Sequence, residues 1–290
     1  MRYPAGVPRP LALILVATAT ATATAAGAGG CGPSAHDVGD DDGTTDVDAA
    51  VGGIDAADTG GNAAVFAHTS TRLFRVHPIT YAVTEVGPFR WPAGADTMTD
   101  IAIDKDGVMI GISYTRVYRV DPATADCTLL SSNLQGMFNG LSFVPAMLAF
   151  GLEGPDVLVG ERNSDGKVFQ IDPATGGVTQ IGDMGPGYSS SGDIVAVTGF
   201  GMVATVPSGT VGPDRLVRLA PTTFAATPIG TTTGFDRIWG VGFWGTRVFG
   251  FTEGGTLTII DSTTGVGTSV ALDGEAWWGA AVTTAAPIID

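Results

Sequence analysis

One phrase of fifteen residues recurs five times along the chain, and this repeat constrains the fold more than any other feature. The clearest copy reads VFQIDPATGGVTQIG, and the copies begin at Leu73, Val117, Val168, Leu216 and Leu257. Successive turns at the centres of these copies are 44, 51, 48 and 41 residues apart. Such a period assigns one supersecondary unit to each repeat, near the ~40–50 residues of a four-stranded unit.

Each copy predicts a β-hairpin. An alternating run such as residues 117–120 suits a strand with one buried face. The turn that follows offers an Asp side chain to its own backbone, a Pro that presets φ, and a Gly such as Gly176 for the left-handed position. Where Gly is missing, as at Asp126, we expect the turn to be strained or to change type.

Two further strand-like runs precede each hairpin, so that each unit carries four strands, named A to D in chain order. In the second unit they are residues 100–103 and 108–112, and the turn Asp104-Lys105-Asp106-Gly107 joins them. No helical periodicity of useful length follows Gly60.

The two ends of the repeat region complement each other. The first unit opens at residues 65–68, which match strand B, and it lacks a strand A. The C-terminal AWWGAAVTT, residues 276–284, matches the fifth strand A, IWGVGFW, residues 238–244. We therefore predict an all-β fold over residues 62–290, a five-bladed β-propeller in which the C-terminal strand completes the first blade and closes the ring. The alternative is an open β-solenoid or twisted array, which would need no such match.

The first thirty residues have the pattern of a secretory signal. Arg2 and Arg9 precede an apolar Ala/Thr-rich run and small residues, and the run is too weakly hydrophobic for a good membrane span. Ala28-Gly29-Gly30 before Cys31 resembles the lipobox of bacterial lipoproteins, although Leu is commoner than Ala at its first position. This resemblance implies lipidation of Cys31 and display on the outer membrane or cell surface; ordinary cleavage nearby would leave a periplasmic or secreted protein.

Residues 31–61 predict an acidic disordered tether. Eight Asp and no Lys or Arg lie between Gly32 and Gly60, so the segment cannot bury enough apolar surface to order itself. Of the net charge of −15, the tether carries −8 and the signal +2, which leaves 21 acidic against 12 basic residues on the propeller. This acidic surface argues against nucleic acid and against adhesion to anionic lipid, so membrane contact is expected only through the anchor, and the protein is expected to be a monomer.

The repeats resemble the Y-x-I-D-P-x-T-G-x-x-T-x-I-G units of a large group of secreted bacterial β-propellers. The resemblance runs from about residue 62 onward, and its closest copies are residues 117–130 and 168–182. The second copy departs at Asp126 and the fourth at Ala220, where Asp would be expected. The motif implies a blade and leaves the chemistry open, because its residues build a hairpin.

In a propeller, strand A lines the central channel, and the D–A and B–C loops share the face where ligands usually bind. The B–C loops place His68, Tyr114, Glu161, Arg162 and Glu253 on this face. The D–A loops provide the candidate ligand-binding residues Asp100, Asn139, Asp193, Arg237, Trp239, Glu275 and Trp278.

Two groups within this set suggest chemistry. Asp100, Asn139, Asp193 and Glu275 could converge as oxygen ligands of calcium, an architectural similarity to propeller lactonases of the gluconolactonase type; the alternative is that they cap strand ends. The indoles Trp239, Trp244, Trp277 and Trp278 could stack on sugars or form a protein hot spot, or could pack between blades. Trp277 and Trp278 are adjacent and must point to opposite faces of their strand.

Catalytic patterns are sparse. The three His are His36, His68 and His77, and His77 stands in the Asp position of a turn, which it should serve. No nucleophile elbow, zinc spacing or phosphate loop is found, and Cys127 on a strand D is expected to be a buried, inert thiol. The sequence thus favours a non-enzymatic binding or scaffolding module of the cell envelope whose partner is a protein, a glycan or a small ligand. A calcium-dependent hydrolase or lactonase is the alternative, and a purely structural protein is a third.

Overall fold

Five four-stranded antiparallel sheets form the described part of the chain, which confirms the five-bladed propeller. The computed structural model describes residues 64–162, 164–209, 212–270 and 275–289. The predicted signal, Cys31 and the predicted tether lie outside these residues. Within the described residues, no helix has the length and apolar character needed to cross a membrane.

The strands follow the predicted A-to-D order in every blade. Blade 1 contains β1 (Val65–His68), β2 (Arg72–Val76) and β3 (Val83–Pro88). Blade 2 contains β4 (Asp100–Ile103), β5 (Met109–Ile112), β6 (Val117–Val120) and β7 (Cys127–Ser131). Blade 3 contains β8 (Gly140–Val144), β9 (Val157–Glu161), β10 (Lys167–Ile171) and β11 (Val178–Asp183), with a helix α1 (Ala146–Phe150) between its first two strands.

The last two blades repeat this order and the chain then returns to the first. Blade 4 contains β12 (Ile194–Val197), β13 (Gly201–Pro207), β14 (Asp214–Leu219) and β15 (Ala226–Ile229). Blade 5 contains β16 (Ile238–Trp244), β17 (Arg247–Thr252), β18 (Leu257–Asp261) and β19 (Gly267–Val270), and β20 (Gly279–Ala281) follows it.

The C-terminal strand β20 closes the ring as predicted. It pairs antiparallel with β1, in a register that sets Ala281 opposite Phe66 and Gly279 opposite His68. The first blade therefore has the order β20-β1-β2-β3, with its innermost strand supplied by the end of the chain. The five innermost strands contact one another around the channel, so that no sheet has an open inner edge.

All five blades use the same C–D turn, including the blades that lack Gly. In each turn the fifth residue donates its N–H to the carbonyl of the first, at 2.8–2.9 Å. The fifth residue always has a left-handed φ: it is Gly176 or Gly265 in two blades, and Tyr81, Ala125 or Phe224 in the others. Of the two outcomes expected where Gly is missing, the change of turn type at Asp126 was wrong, because the left-handed position is Ala125, one residue earlier, and the turn type is conserved. The strained alternative fits Ala125, a residue with a Cβ at a φ of 60°.

The first residue of these turns supplies a side-chain acceptor in four blades. Asp121, Asp172 and Asp261 each accept backbone N–H groups, and His77 Nδ1 replaces them at 3.2 and 3.1 Å from the nitrogens of residues 79 and 80. The role predicted for His77 is confirmed. Ala220 offers no acceptor in the fourth blade.

Helix α1 compensates for the missing acceptor at Ala220. The N–H of Thr222 donates to the carbonyl of Leu148 in α1 at 2.8 Å, and Thr222 takes a φ of 63°. Sequence analysis missed this five-residue helix because it is too short to show a period. It lies in the longest repeat, the 51-residue step between the second and third turns.

Aromatic side chains fill the spaces between blades. Trp277 is fully buried, and its ring lies edge-on to Phe74 at 5.2 Å and to Phe251 at 5.6 Å. Trp278, the next residue, is half-buried on the other face of the strand, as predicted. Cys127 is buried, and burial followed by the charge of Asp126 raises the pKa of its thiol to about 12, as expected for an inert cysteine.

Candidate functional site

A pocket of about 290 Å³ opens on the face formed by the D–A and B–C loops. Aromatic side chains supply much of its wall, and small polar residues supply the rest; the lining residues are Thr99, Tyr114, Met137, Phe138, Asn139, Ser190, Ser191, Gly192, Trp239 and Trp278. The two indoles meet edge to face, with centroids 5.9 Å apart and planes at 82°. None of these lining residues is basic.

The structure brings three of the predicted binding residues together in this lining, Asn139, Trp239 and Trp278. Arg237 is exposed and forms ion pairs with Glu253 and Asp236, and it does not line the pocket. Glu275 is half-buried and also lies outside the lining.

Asp100 and Asp193 are fully buried at the start of inner strands, where each bonds to the next blade. Asp100 accepts hydrogen bonds from the N–H of Ile101 at 2.8 Å and from the N–H of Leu141, in blade 3, at 2.7 Å. Asp193 accepts them from the N–H of Ile194 and from the N–H of Val241, in blade 5, both at 2.7 Å. The expectation that such residues cap strand ends thus describes part of their role.

In blades 1 and 3 the polar side chain enters from strand B instead. Strand A carries Gly279 and Gly140 at the positions of Asp100 and Asp193, and these glycines lie opposite His68 and Glu161. A Cβ on Gly140 would lie 3.1 Å from Glu161 Oε2, and one on Gly279 would overlap His68 Nε2. Glycine therefore creates the space in which a long polar side chain from strand B reaches the channel.

Sequence reasoning placed His68 and Glu161 on this face but did not select them as site residues. Both are fully buried. The signal that could have found them is the alignment of strand A, in which Gly140 and Gly279 stand in place of Asp while the strand-B residues opposite them are Glu161 and His68. Ser190, which lines the pocket near Glu161, was also missed.

Burial dominates the electrostatics of this cluster. It raises the pKa of Glu161 to about 8, against an opposing effect of Ser190, and it lowers the pKa of His68 to about 4. Burial also raises the pKa values of both Asp100 and Asp193 well above their ordinary value. The charge of Asp193 further raises the pKa of Asp100, and the charge of Glu161 further raises the pKa of Asp193. These three carboxyl groups therefore cannot all ionise together near neutral pH.

The cluster contains acceptors that have no donor. Among the described residues, the buried side-chain atoms without a hydrogen bond are His68 Nε2, Asn139 Oδ1, Glu161 Oε1 and Oε2, Ser190 Oγ and Trp277 Nε1. His68 Nδ1 lies 2.8 Å from the carbonyl of Thr69, to which only an N–H can donate, so neutral His68 presents Nε2 as a bare acceptor. His68 Nε2 and Asn139 Oδ1 can only accept, and the two Glu161 oxygens can only accept when Glu161 is ionised.

A metal centre at the predicted positions finds no support in the described residues. They contain no group of three or more His, Cys, Asp or Glu side chains arranged to hold a metal ion. Asp100 and Asp193 already use both carboxylate oxygens for backbone N–H groups, and Glu275 lies outside the pocket lining. Calcium binding therefore stays a prediction.

Fold and site together define a closed five-bladed propeller with one aromatic, polar-floored pocket at the end of its channel. No family model matches the sequence, and no curated protein matches it. Among solved structures, one described as "The de novo evolutionary emergence of a symmetrical protein is shaped by folding constraints" has a TM-score of 0.48 and 14% identity, covering 78% of this chain and 99% of that chain. TolB from Acinetobacter baumannii has a TM-score of 0.44 and 14% identity, covering 72% of this chain and 51% of that chain.

Proposed function

We propose that the protein is a non-enzymatic binding module of the cell envelope, exported as a monomer, anchored by a lipid on Cys31 and held off the membrane by residues 31–61. Its ligand binds in the pocket that Trp239 and Trp278 line. The signal-like N-terminus and the lipobox-like Cys31 support export and anchoring.

One observation carries the binding role: half-buried indoles and unpartnered acceptors meet in the same pocket. Trp239 and Trp278 lie at its wall, and Asn139 lines it while its buried Oδ1 lacks a donor. Native proteins rarely leave buried polar atoms unpaired, and exceptions need an explanation such as a ligand or an ordered water. A pocket with a mainly aromatic wall and a few convergent polar groups is the usual form of a small-ligand site.

The geometry favours binding over catalysis. Glu161 is an acid with a raised pKa beside the Ser190 hydroxyl, and the described pocket lining includes no His, Lys or Cys that could complete a nucleophile and base with them. His68 is fully buried, and its Nε2 lies 3.6 Å from Asp100 Oδ1. It does not line the pocket.

Ligand binding is tested by comparing Trp278→Ala with Trp91→Ala in one screen. Trp91 packs against Tyr118 and Phe89 and does not line the pocket, so its loss removes an indole elsewhere. The purified protein is screened against envelope extracts, glycans and small molecules, with intrinsic fluorescence and melting temperature as readouts. A ligand lost in Trp278→Ala and kept in Trp91→Ala supports the proposal, whereas equal binding by both variants would move the site away from this face.

Anchoring is tested with a Cys31→Ser variant of the full chain. The proposal expects incorporation of radiolabelled palmitate and recovery in the membrane fraction for the wild type, and loss of both in the variant. A Cys127→Ser variant is the control, because Cys127 is buried in the propeller and no other cysteine exists. Unchanged labelling or fractionation in Cys31→Ser would contradict the anchor and leave the binding role standing.

A further inference from the structure

The polar groups behind the pocket lack donors. Asn139 Oδ1 and both oxygens of Glu161 are buried and unpaired, and each of these atoms is an acceptor whenever Glu161 is ionised. Ser190 Oγ forms no hydrogen bond of good geometry, although its hydroxyl lies close enough to Glu161 to oppose the rise in the pKa of that acid. A ligand that satisfies this set must supply several N–H or O–H groups.

The charges around the pocket favour a positive ligand. Glu161, Asp100 and Asp193 are fully buried beneath this end of the channel, and among the described lining residues none is Lys or Arg. The nearby Arg237 is exposed and already paired with Glu253. Burial keeps Glu161 largely protonated in the free protein at pH 7, so a cation binding beside it must draw it into its ionised form. Once ionised in a desolvated site, the carboxylate attracts the cation far more strongly than it would in water.

The wall of the pocket suits an organic cation. Trp239 and Trp278 both line the pocket and stand edge to face, with ring centroids 5.9 Å apart. Tyr114 and Phe138 add two further rings to the lining. Aromatic rings around a cation stabilise it through their quadrupoles, and Trp does so best.

Size limits the occupant. The cavity of about 290 Å³ is at the lower end of small-molecule sites, which run from roughly 300 to 1,000 Å³. It suits an amine of a few carbon atoms better than an extended chain.

We propose that this pocket binds a small organic cation with a primary ammonium group, which donates to Asn139 Oδ1 and Ser190 Oγ, contacts Trp239 and Trp278, and has Glu161 as its counter-ion. This inference rests on the proposed binding function and names the class of ligand. A primary ammonium supplies three donors and one positive charge, which are what the site lacks.

Three probes of similar size separate charge from hydrogen-bond donation. Cyclohexylammonium has both, tetramethylammonium has charge without donors, and cyclohexanol has a hydroxyl without charge. Titration of the purified protein at pH 7, followed by tryptophan fluorescence, should show cyclohexylammonium binding at least ~10-fold tighter than either of the others, since hydrogen bonds to charged groups are the strong ones. Equal binding of cyclohexanol and cyclohexylammonium would overturn the inference.

Two variants and a matched control locate the effect. Glu161→Gln keeps the shape and removes the acid that ionises beside a bound cation, and Asn139→Ala removes one acceptor; each should weaken cyclohexylammonium binding ~10-fold or more, and Glu161→Gln should leave cyclohexanol binding unchanged. Glu153→Gln makes the same charge change at an exposed position on the loop after α1 and should change neither. Unaltered ammonium preference in Glu161→Gln would contradict the assigned counter-ion. Melting curves of each variant show that it is folded.

Further competition experiments test whether the amine belongs to a free small molecule, a lysine side chain or a lipid headgroup, and whether a metal ion could occupy the site instead. N-acetyl-lysine methylamide and vesicles with phosphatidylethanolamine should compete ~10-fold more weakly than the free amine, because the cavity is small. Tighter competition by either would overturn the assignment to a small molecule. Displacement of the amine by calcium, lost in Glu161→Gln, would overturn it in favour of a metal site.

Failure of the cation assignment can be distinguished from failure of the proposed binding function. If cyclohexanol or another neutral ligand binds and Trp278→Ala abolishes that binding, the binding module stands and only the cation assignment fails. If no probe binds and no envelope ligand depends on Trp278, both fail together.

Discussion

Asp193 Oδ2 accepts a 2.7 Å hydrogen bond from the backbone N–H of Val241, and this bond joins the fourth blade to the fifth. Asp100 forms the same bond to Leu141 and joins the second blade to the third. The two acids therefore tie neighbouring inner strands together at the end of the channel where the pocket opens. Their burial and their backbone partners indicate that both acids have a structural role, whether or not they contact a ligand.

Asp193→Asn should destabilise the propeller. Both carboxylate oxygens of Asp193 accept backbone N–H groups, and an amide can satisfy only one of them. Leaving one buried N–H unpaired should reduce the free energy of unfolding by about 1–3 kcal/mol. Chemical denaturation measures this, with the exposed Asp106→Asn as the control expected to lie near zero. Equal stability of the two variants would contradict the bridging role.

Gly279→Ala should be the most costly of three glycine substitutions. Its Cβ would overlap His68 and Asp100, and both of these side chains are fully buried. At Gly140 the nearest atoms would lie 3.1–3.2 Å away, and at Gly254 the nearest atom is 3.8 Å away. Overpacking a rigid core costs about 1–3 kcal/mol or more, so we expect losses in the order Gly279, Gly140, Gly254, with the last near zero. Melting temperatures in any other order would show that the glycines do not make room for the polar cluster.

Thr222→Gly should stabilise the protein. Thr222 is exposed and β-branched, and it adopts a φ of 63°, a conformation that costs an L-residue of this kind about 1–2 kcal/mol. Glycine relieves this strain while it keeps the N–H that bonds to Leu148. Allowing for its extra backbone entropy when unfolded, the net gain should be about 1 kcal/mol. Thr223→Gly, at the next exposed position, should instead lower stability slightly; the same sign for both variants would refute the strain.

Stability should fall between pH 6.5 and 8 because of Glu161. Burial raises the pKa of Glu161 from its ordinary 4.5 to about 8, so its stabilising contribution is complete below pH 4.5 and is lost as the pH rises through 8. Asp100 and Asp193, whose pKa values are also raised, contribute to stability in the same direction. The pKa of His68 is lowered from 6.5 to about 4, so its stabilising contribution is complete above pH 6.5 and is lost as the pH falls through 4. Asp214, also raised, adds to the fall with rising pH.

The Glu161 share of that fall can be isolated. Over the 1.5 pH units from 6.5 to 8 it should amount to about 2 kcal/mol, at roughly 1.4 kcal/mol per unit. Urea denaturation at several pH values should show a shallower decline for Glu161→Gln than for the wild type, with Glu153→Gln keeping the wild-type slope. Parallel curves for all three proteins would mean that Glu161 is not buried as a neutral acid.

The architecture was predictable from the sequence because each level of the repeat agreed. The alternating runs, the Asp-Pro turns and the unmatched strands at the two ends pointed to one ring, and residues 65–68 and 100–103 are strands with the predicted bounds. The predicted change of turn type at Asp126 was wrong because side-chain identity is a weaker guide to a turn than backbone hydrogen bonding. Ala125 takes the left-handed conformation and forms the same backbone hydrogen bond as the glycines at this position in other blades. Helix α1 has no sequence period to detect.

The site was only partly predictable. Asn139, Trp239 and Trp278 could be placed on one face from the loop positions alone, and the structure gathers them in the pocket. The contribution of Glu161 depends on strand register, because it enters the channel over Gly140 in the neighbouring strand. A single chain read in order does not display which residues lie opposite each other across two strands.

The most direct test is a crystal structure of the protein soaked with cyclohexylammonium at pH 7. We predict density for the ring in the pocket against Trp239 and Trp278, with the nitrogen within hydrogen-bond distance of Asn139 Oδ1 and on the side of the pocket nearest Glu161. An empty pocket, or one in which ordered waters satisfy Asn139 and Glu161 while the amine lies elsewhere, would contradict it.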